Sequence, residues 1–441
     1  MPRAIPAGRN RSTVTGLNRN LMLDLWWRAS RVFLSGCVGL VLQSNASSAQ
    51  QALIKIGLLL TYQGPTAIFA RYEDKGARLA IEEANKAGSV HGQPIEIVSY
   101  DTEGKPDRAG ALYRRLADED KVVAVIGPDS IYVVLGMSAI PAQVKVMAVA
   151  GPGGYEFIPP NDRTHIVSGW AASGFSATFV LVYFRDKLNV KRIGILTTAD
   201  TIGQKVGEEF TSAAKIAGIE VVRTVSQPAS DRDLLPSLRE LASLTPKIDA
   251  IALYGSGPFG TIAANQTELA GFYIPIAYVG GNIIPELIKD IGPFAGRRFF
   301  IASARAAAPD TLPKGDPYYD RIQKFVASYR AKYNEEPNYP AAVGYDMART
   351  ILEALKAVGP DPEKIRDHIV NGQKGLIGVQ GVAFNRTPQD GYGTNPMDNI
   401  VATIERGKFV FKGYMIESFR KLGISEEMVR KLMRDHNLLI D

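Results

Sequence analysis

Short apolar runs alternate with helical stretches from Leu53 onward. Ile54 to Leu60 is apolar except for Lys55, which is typical of a buried strand, and Asp74 to Lys86 carries apolar residues at helical spacing. The same alternation predicts strands at 95–100, 122–126 and 144–150, and a helix at 109–118. Strands that alternate with helices pair in parallel, so this order predicts a doubly wound α/β sheet.

The pattern starts again after residue 190 and predicts a second unit of the same kind. The second unit contains a helix at 203–217 and strands at 193–197, 220–224, 249–254 and 276–279. The fold class is therefore α/β, with two doubly wound parallel-sheet lobes. The segment 155–173 is expected to be the first crossing between them.

Turn-forming residues follow six of the predicted strands. In open parallel sheets, ligands bind beyond the carboxyl ends of the strands. Glycine there lets the backbone approach a ligand, although it also serves ordinary turns. Six such ends in two units predict a cleft; they are Tyr62–Pro65, Gly127–Ser130, Gly151–Gly154, Thr198–Asp200, Gly255–Gly257 and Gly280–Asn282.

The first 49 residues have the parts of a secretory signal peptide. Arg28 and Arg31 precede an apolar run from Val32 to Leu42, and small residues lead to Ala49. That run is shorter than the about 20 residues that span a bilayer. Cleavage after Ala49 is the expected processing, and translation from Met1 or from Met22 fits the pattern.

Lipid attachment at Cys37 is the alternative processing. Leu34 to Cys37 resembles a lipobox, but only five residues separate Arg31 from Cys37, which is short for an apolar core. Cleavage without a lipid anchor is therefore preferred. Either way, the segment predicts export.

Charge and cysteine content exclude several classes of function. The 441-residue chain has a formal charge of +6, but the leader holds six of its 51 basic residues and one of its 45 acidic residues. The remainder is almost neutral, which argues against nucleic-acid binding. Cys37 is the only cysteine and the four histidines are scattered, so no metal and no cofactor are expected.

An ordered series of motifs resembles the type I periplasmic solute-binding proteins, in particular the branched-chain-amino-acid-binding family of ABC importers. The series begins with Gly64-Pro65, Phe69 and the run Gly76 to Ala80; it continues with Ile81 to Asn85, Gly92 to Glu96, Tyr100-Asp101, Val125 to Pro128, Ala342 to Asp346 and Gly381 to Phe384. Each motif is weak alone, whereas the order is specific.

The resemblance implies a periplasmic, monomeric binding protein whose lobes are joined by a three-crossover hinge. Closure around a small solute would let the protein dock on an ABC permease at the membrane, without nucleic acid as a partner. The expected parts are a signal peptide at 1–49, one lobe at 53–168 with 300–380, a second lobe at 169–299 with 381–415, and a C-terminal helical extension at 416–441.

The resemblance also gives candidate ligand-binding residues in the first lobe. Phe69 stands where relatives place an aromatic side chain over the ligand, and Tyr72 lies nearby. The next two strand ends offer a hydroxyl, backbone groups and a tyrosine. In relatives, hydroxyl groups usually occupy these places. The candidates there are Ser130, Ile131, Tyr132, Pro152, Gly153, Gly154 and Tyr155.

The second lobe departs from the family pattern. Its candidates are Ile202, where a tyrosine is common, together with Tyr254 and Ser256, and Asn282, where an acid commonly meets an α-ammonium group. A buried ammonium group without a carboxylate is costly. The sequence therefore favours a carboxylate, an amide or an aromatic acid over an ordinary α-amino acid.

Other classes of function fit the sequence less well. Gly255 to Gly260 matches G-x-G-x-x-G, but the acid expected about 20 positions later in a dinucleotide site is missing, and Pro258 removes an amide. Hydrolase motifs are absent from the sequence, so an enzyme is not expected. A periplasmic ligand sensor of the same fold remains open as the alternative.

Overall fold

The computed structural model describes residues 53–64, 67–151, 153–171, 174–255, 258–280 and 284–439. The predicted leader, including Cys37, lies outside these ranges. The strands are β1 Ile54–Leu60, β2 Ile95–Asp101, β3 Ala124–Ile126, β4 Met147–Ala150, β5 Ile166–Ser168, β6 Arg192–Thr198, β7 Glu220–Gln227, β8 Ala250–Tyr254, β9 Ile276–Val279, β10 Phe299–Ser303, β11 Leu376–Ile377, β12 Ala383–Phe384, β13 Ile400–Glu405 and β14 Lys408–Tyr414.

The α-helices lie mostly between the strands. They are α1 Ala67–Lys86, α2 Pro106–Asp118, α3 Ile131–Met137, α4 Ile140–Val144, α5 Gly174–Thr178, α6 Val180–Lys187, α7 Thr201–Ala217, α8 Leu235–Ser243, α9 Pro258–Leu269, α10 Pro285–Asp290, α11 Pro293–Arg298, α12 Tyr319–Tyr333, α13 Tyr339–Val358, α14 Pro362–Asp367, α15 Met415–Lys421 and α16 Glu426–Asp435.

The first sheet has the order β2-β1-β3-β4-β5 and is parallel throughout. Its inner strands are almost wholly buried, as expected for a parallel sheet that helices cover on both faces. The predicted strand at 144–150 is shorter than expected. Pro141 supports a short helix, α4, and Lys145 ends that helix in the left-handed conformation, so β4 begins only at Met147.

The second sheet has the order β14-β13-β10-β9-β8-β6-β7. The strands from β6 to β10 pair in parallel, and β13 and β14 add an antiparallel edge. Two parallel α/β sheets are thus present in one chain, and the predicted fold class is confirmed.

The chain crosses between the two sheets three times: after Ser168, after Ser303 and before Ile400. The second crossing lies a few residues later than the expected boundary at 299/300, because β10 belongs to the second sheet. The third is about 20 residues later than the expected boundary at 380/381. We call residues 53–168 with 305–398 the first lobe, and residues 174–303 with 400–439 the second lobe.

Residues 381–398 stay with the first lobe because their hydrogen bonds hold them there. The hydroxyl of Tyr392 accepts hydrogen bonds from the amides of Gly154 and Tyr155, each at 2.9 Å. The carbonyl of Gly391 accepts a hydrogen bond from the amide of Ser168. The chain therefore returns to the second sheet only at β13.

The C-terminal helices α15 and α16 pack on the second lobe. Met415, Phe419 and Met433 are buried, and the ring of Phe419 lies 5.3 Å from that of Phe179. Asp186 accepts a hydrogen bond from the Ser418 hydroxyl and pairs with Lys421. The segment expected as an extension thus contributes apolar side chains to the packing of this lobe.

Candidate functional site

The ends of β1, β2 and β3 form a hydrogen-bonded polar edge in the first lobe. The amide and the hydroxyl of Thr61 both donate to Oδ1 of Asp129 at 2.9 Å. The Thr61 hydroxyl also lies 2.8 Å from that of Thr102. Since the Thr61 proton goes to Asp129, the Thr102 hydroxyl must donate to Thr61. This part of the edge is therefore held by hydrogen bonds within the protein.

Two buried carboxyl groups lie beside this edge. Glu73 is 1% exposed, and a side-chain carbon at Gly151 would stand 2.5 Å from its Oε2, so a side chain there would displace this carboxyl group. Oε2 of Glu73 and Oδ2 of Asp129 are buried and have no hydrogen-bond partner. The strand ends thus hold two acidic groups, each with an unused acceptor atom.

Burial changes the protonation of both acids, because a low-dielectric environment disfavours the charged form. Burial raises the pKa of Asp129 to about 6. Burial and the nearby Asp129 charge raise the pKa of Glu73 well above its usual value. Both carboxyl groups therefore hold their protons to higher pH than a solvent-exposed acid does.

Phe69 and Tyr72 lie one turn apart on α1 and are half-buried against the first-lobe core. The Tyr72 hydroxyl donates to Oε1 of Glu286 at 3.0 Å. Glu286 lies on α10, which follows β9 of the second sheet. This hydrogen bond therefore joins the two lobes, and the structure brings Tyr72 to a residue that was not predicted from the sequence.

The three candidates after β3 lie at or near the start of α3. Ser130 precedes the helix without a capping hydrogen bond from its side chain. A side-chain carbon at Gly154 would lie 3.0 Å from Cγ1 of Ile131, so these two candidates are neighbours. Tyr132 is 57% exposed. The structure thus places hydroxyl groups of Ser130 and Tyr132 at this strand end.

Tyr155 is enclosed by other residues of the protein. It is 4% exposed, its ring packs edge-on against Tyr392 at 5.5 Å, and the Arg163 guanidinium lies 5.1 Å from its centre. The amides of Gly154 and Tyr155 already donate to the Tyr392 hydroxyl, which in turn donates to Glu156 at 2.5 Å. Both amides therefore donate to a partner within the protein. The preceding residue, Gly153, is half-buried.

The end of β6 is shaped by a helix cap. Oδ1 of Asp200 accepts a hydrogen bond from the Gly203 amide at 2.8 Å, which fixes the start of α7. A side-chain carbon at Gly203 would stand 2.0 Å from the carbonyl oxygen of Thr198. Ile202, the candidate between them, is half-buried.

A hydrogen bond from Tyr278 connects the ends of β8 and β9. The Tyr278 hydroxyl donates to the carbonyl of Gly255 at 2.6 Å, and the same hydroxyl leaves no room for a side chain at Gly280. Tyr254 is half-buried at the end of β8; burial raises its pKa, and the charges of Tyr132 and Asp200 add to the rise. The candidates Pro152, Ser256 and Asn282 lie outside the described residues.

A second contact between the lobes involves α7. The Lys205 ammonium lies 5.5 Å from the centre of the Phe157 ring, at a distance suited to a cation–π interaction. The ion pair of Lys408 with Asp310 and the hydrogen bond from the Arg163 guanidinium to the Asn437 carbonyl also join the lobes.

Sequence reasoning missed Thr61, Glu73, Asp129 and Glu286. One signal was present for Glu73, because it falls between Ala70 and Ala77 on the buried face of α1, where a carboxyl group is unusual. Asp129 stands directly after a strand end. Nothing in the sequence pattern marks Glu286, since it is brought to Tyr72 only by the approach of the second lobe.

The described ranges contain neither a candidate metal site nor a candidate membrane-spanning helix. No group of three histidine, aspartate or glutamate side chains there is arranged to hold a metal ion. Among the same residues, we found no helix with the length and apolarity needed to cross a membrane.

Comparison with known proteins identifies one family. The model of the periplasmic binding protein family matches residues 53–403. A Leu/Ile/Val-binding protein homolog of Brucella suis is 24% identical over 352 residues, which cover 77% of this chain and 85% of that protein. An amino acid binding protein of Pseudomonas aeruginosa is also 24% identical and covers 76% of this chain and 88% of that relative.

Solved structures show the same fold. The branched-chain amino acid binding protein LivJ of Streptococcus pneumoniae, in complex with isoleucine, is 23% identical; the alignment covers 82% of this chain and 100% of that one, with a TM-score of 0.68. A solute-binding protein of Rhodopseudomonas palustris in complex with benzoate is 20% identical, with coverages of 82% and 96% and a TM-score of 0.67.

Proposed function

The chain belongs to the periplasmic binding protein family, and we propose that it is the exported solute-binding component of an ABC importer. It captures a small polar solute between its lobes and presents the closed form to a membrane permease. The observation that carries this proposal is the hydrogen bond from Tyr72 to Glu286, because it joins the lobes across the cleft. We also propose that the protein acts in the periplasm as a monomer and does not bind nucleic acid.

The cleft has the features of a binding site. Its first-lobe edge carries a hydrogen-bonded network at Thr61 and Asp129, with an aromatic wall at Phe69 and Tyr72. Family members are substrate-binding proteins, which fits this arrangement. The leader and the permease partner rest on the sequence pattern and on the family. We propose an amino-acid-like solute, an amide or an aromatic acid, since neighbours of the same fold bind isoleucine and benzoate.

A thermal unfolding screen of the purified protein tests this function. The panel contains amino acids, aliphatic acids, aromatic acids and amides. A solute at 100 times its Kd stabilises the folded protein by about 2.7 kcal/mol, so a binder should raise the Tm by a few degrees. Isothermal titration then gives the Kd of each hit. If no solute in the panel raises the Tm, the proposed function is contradicted.

Replacing one wall residue shows whether a hit occupies the cleft. We expect Phe69→Ala to weaken binding roughly tenfold or more, because the solute loses a buried apolar surface. Phe294→Ala is the matched control, since Phe294 is 67% exposed on α11. Equal affinity for the two variants would place the solute elsewhere on the protein.

A further inference from the structure

Two buried acids from opposite lobes, Glu156 and Glu209, form what we call the acid pair. Glu156 follows β4 in the first lobe and is 5% exposed, and Glu209 lies on α7 of the second lobe and is 2% exposed. Oε2 of Glu156 accepts the hydrogen bond from Tyr392, whereas Oε1 of Glu156 and Oε2 of Glu209 are buried without a hydrogen-bond partner. Burial raises the pKa of Glu209 well above its usual value, and the charge of Glu156 across the lobe boundary adds to the rise.

Two basic residues beside the acid pair contact other groups. The Arg163 guanidinium donates at 2.8 Å to three backbone carbonyls, one of which is that of Glu156 itself. The Lys205 ammonium lies over the Phe157 ring. Burial outweighs the hydrogen bond from Tyr392 and the attraction of both cations, so the pKa of Glu156 is also raised. Both acids therefore hold a proton more tightly than exposed glutamates do.

Three further titratable groups in the described part of the chain lie around the same turn of α7. Glu208 is exposed, and its charge adds to the rise in the pKa of Glu209. Burial lowers the pKa of His436, whose ring meets the Ser212 hydroxyl at 2.9 Å, so this ring favours its neutral form. Burial raises the pKa of Tyr254, which therefore keeps its proton. Ionising both acids would thus leave two poorly compensated charges buried between the joined lobes, which is costly.

We propose that the acid pair links closure of the lobes to uptake of a proton: joining the lobes places a proton on Glu209, which donates it in a hydrogen bond to the unused Oε1 of Glu156. When the lobes separate, water reaches both carboxyl groups and the proton is released. This inference concerns the regulation of the proposed binding site, and its effect on solute affinity rests on the proposed function. Because a solute that is enclosed between the lobes binds the closed form, its affinity becomes dependent on pH.

The direction of this pH dependence follows from the raised pKa values. The ordinary pKa of a glutamate is 4.5, whereas the joined lobes hold the proton to higher pH. The contribution to closure is therefore fully present below the ordinary value, and it is lost as pH rises through the raised value. For one proton, the Kd of a solute should rise by up to about tenfold per pH unit within this window.

Two measurements between roughly pH 5 and pH 8 test the inference. Small-angle X-ray scattering of the solute-free protein gives the radius of gyration, which increases when the lobes separate. Titration calorimetry gives the Kd for isoleucine and benzoate, the solutes of two neighbours of the same fold, and for the strongest hit of the unfolding screen. The first measurement needs no solute, so it is independent of the proposed function.

Matched variants assign the pH dependence to the acid pair. Glutamine keeps the size of the side chain but has no carboxyl proton. We therefore expect Glu209→Gln to lose most of the change with pH in radius of gyration and Kd, and the double variant Glu156→Gln with Glu209→Gln to lose at least as much. Glu208→Gln removes an exposed carboxylate from the same turn of α7 and should keep the wild-type response.

A change with pH in either quantity that the glutamine variants lose supports the inference. Equal pH dependence in the wild-type protein and in Glu209→Gln and the double variant would overturn it. So would a wild-type protein whose radius of gyration and Kd both stay constant, and that result would leave the proposed function intact. Glu209→Gln supplies the comparison if the double variant does not fold. If no solute binds, the proposed function fails, whereas scattering of the solute-free protein still decides the inference.

Discussion

The two lobes build their sides of the cleft by different means. In the first lobe, Thr61 forms hydrogen bonds with both Asp129 and Thr102 and so fixes a polar surface. In the second lobe, Asp200 caps a helix and the Tyr278 hydroxyl holds a backbone carbonyl. The first lobe therefore presents side chains that are held by hydrogen bonds. The second lobe presents backbone groups that side chains hold in place, and its Glu286 reaches Tyr72 of the first lobe. We expect solutes to meet the first lobe first and closure to add the second.

Close packing of α1 and α13 makes the first lobe rigid behind this surface. A side-chain carbon at Gly76 would stand 1.9 Å from the carbonyl oxygen of Ala341, and one at Gly344 would stand 1.9 Å from that of Glu73. Both contacts are with backbone, which cannot rotate away. The helix that carries Phe69, Tyr72 and Glu73 is thereby held in place.

The largest expected effect follows from widening this helix contact. Gly344→Ala should destabilise the protein by roughly 3 kcal/mol, because the added methyl group forces α1 and α13 apart. Urea unfolding measures the loss. Gly315→Ala is the matched control, since the site is exposed and no atom lies within 4 Å of the added carbon. Equal stability of the two variants would show that the first lobe is not held by this contact.

A pH-dependent effect should distinguish the acidic edge of the first lobe. Burial raises the pKa of Asp129 to about 6 from the model-compound value of 3.8, so the folded state holds a proton that the unfolded state has released. The free energy of unfolding should therefore fall as pH rises through this window. Asp129→Asn removes the titrating group, and above the window it should be more stable than the wild-type protein by up to about 3 kcal/mol.

Urea unfolding from roughly pH 4 to pH 8 measures this difference. The asparagine oxygen can still accept the hydrogen bonds from Thr61. The difference between the wild-type protein and Asp129→Asn therefore reports the effect of the carboxylate charge. Glu73 should add a slope of the same sign, because burial also raises its pKa. If the free energies of unfolding of the wild-type protein and Asp129→Asn change equally with pH, the charge of Asp129 does not destabilise the folded protein.

The smallest expected effect concerns the second lobe. Asp200→Ala should cost about 1 kcal/mol, because the first turn of α7 loses its cap, whereas Asp200→Asn should cost only a few tenths. Thermal unfolding with both variants measures the difference. A loss in Asp200→Asn as large as that in Asp200→Ala would mean that the charge of Asp200, rather than its capping oxygen, supports this lobe.

Local sequence pattern predicted the parallel strands well because each is a short apolar run between helices. The start of α1 was predicted seven residues late, at Asp74 instead of Ala67, because the turn residues before it obscured the helical spacing. The third crossing was also misplaced, since Tyr392 and Gly391 are held to the first lobe by hydrogen bonds to residues more than 200 positions earlier. No local pattern records such bonds.

The candidate site was predicted only in part. Phe69 and Tyr72 were named from their place in a family-like motif, and the structure puts Tyr72 against the second lobe. The backbone of Gly154 and the side chain of Tyr155 were also named, yet the Gly154 amide donates to Tyr392 and Tyr155 is 4% exposed. Glycine-rich strand ends mark where a cleft lies, but they do not show which groups another segment has already taken.

The sequence by itself determined the two α/β units, the turns at their strand ends and a solute-binding protein as the class of function. These follow from periodicity, from glycine and proline positions and from an ordered series of motifs, all of which are local. Only the tertiary structure decided that Glu286 meets Tyr72 across 214 positions of sequence and that Glu73 and Asp129 keep buried oxygens without hydrogen-bond partners. The raised pKa values of these two acids depend on burial, and burial is not a property of any one segment of the chain.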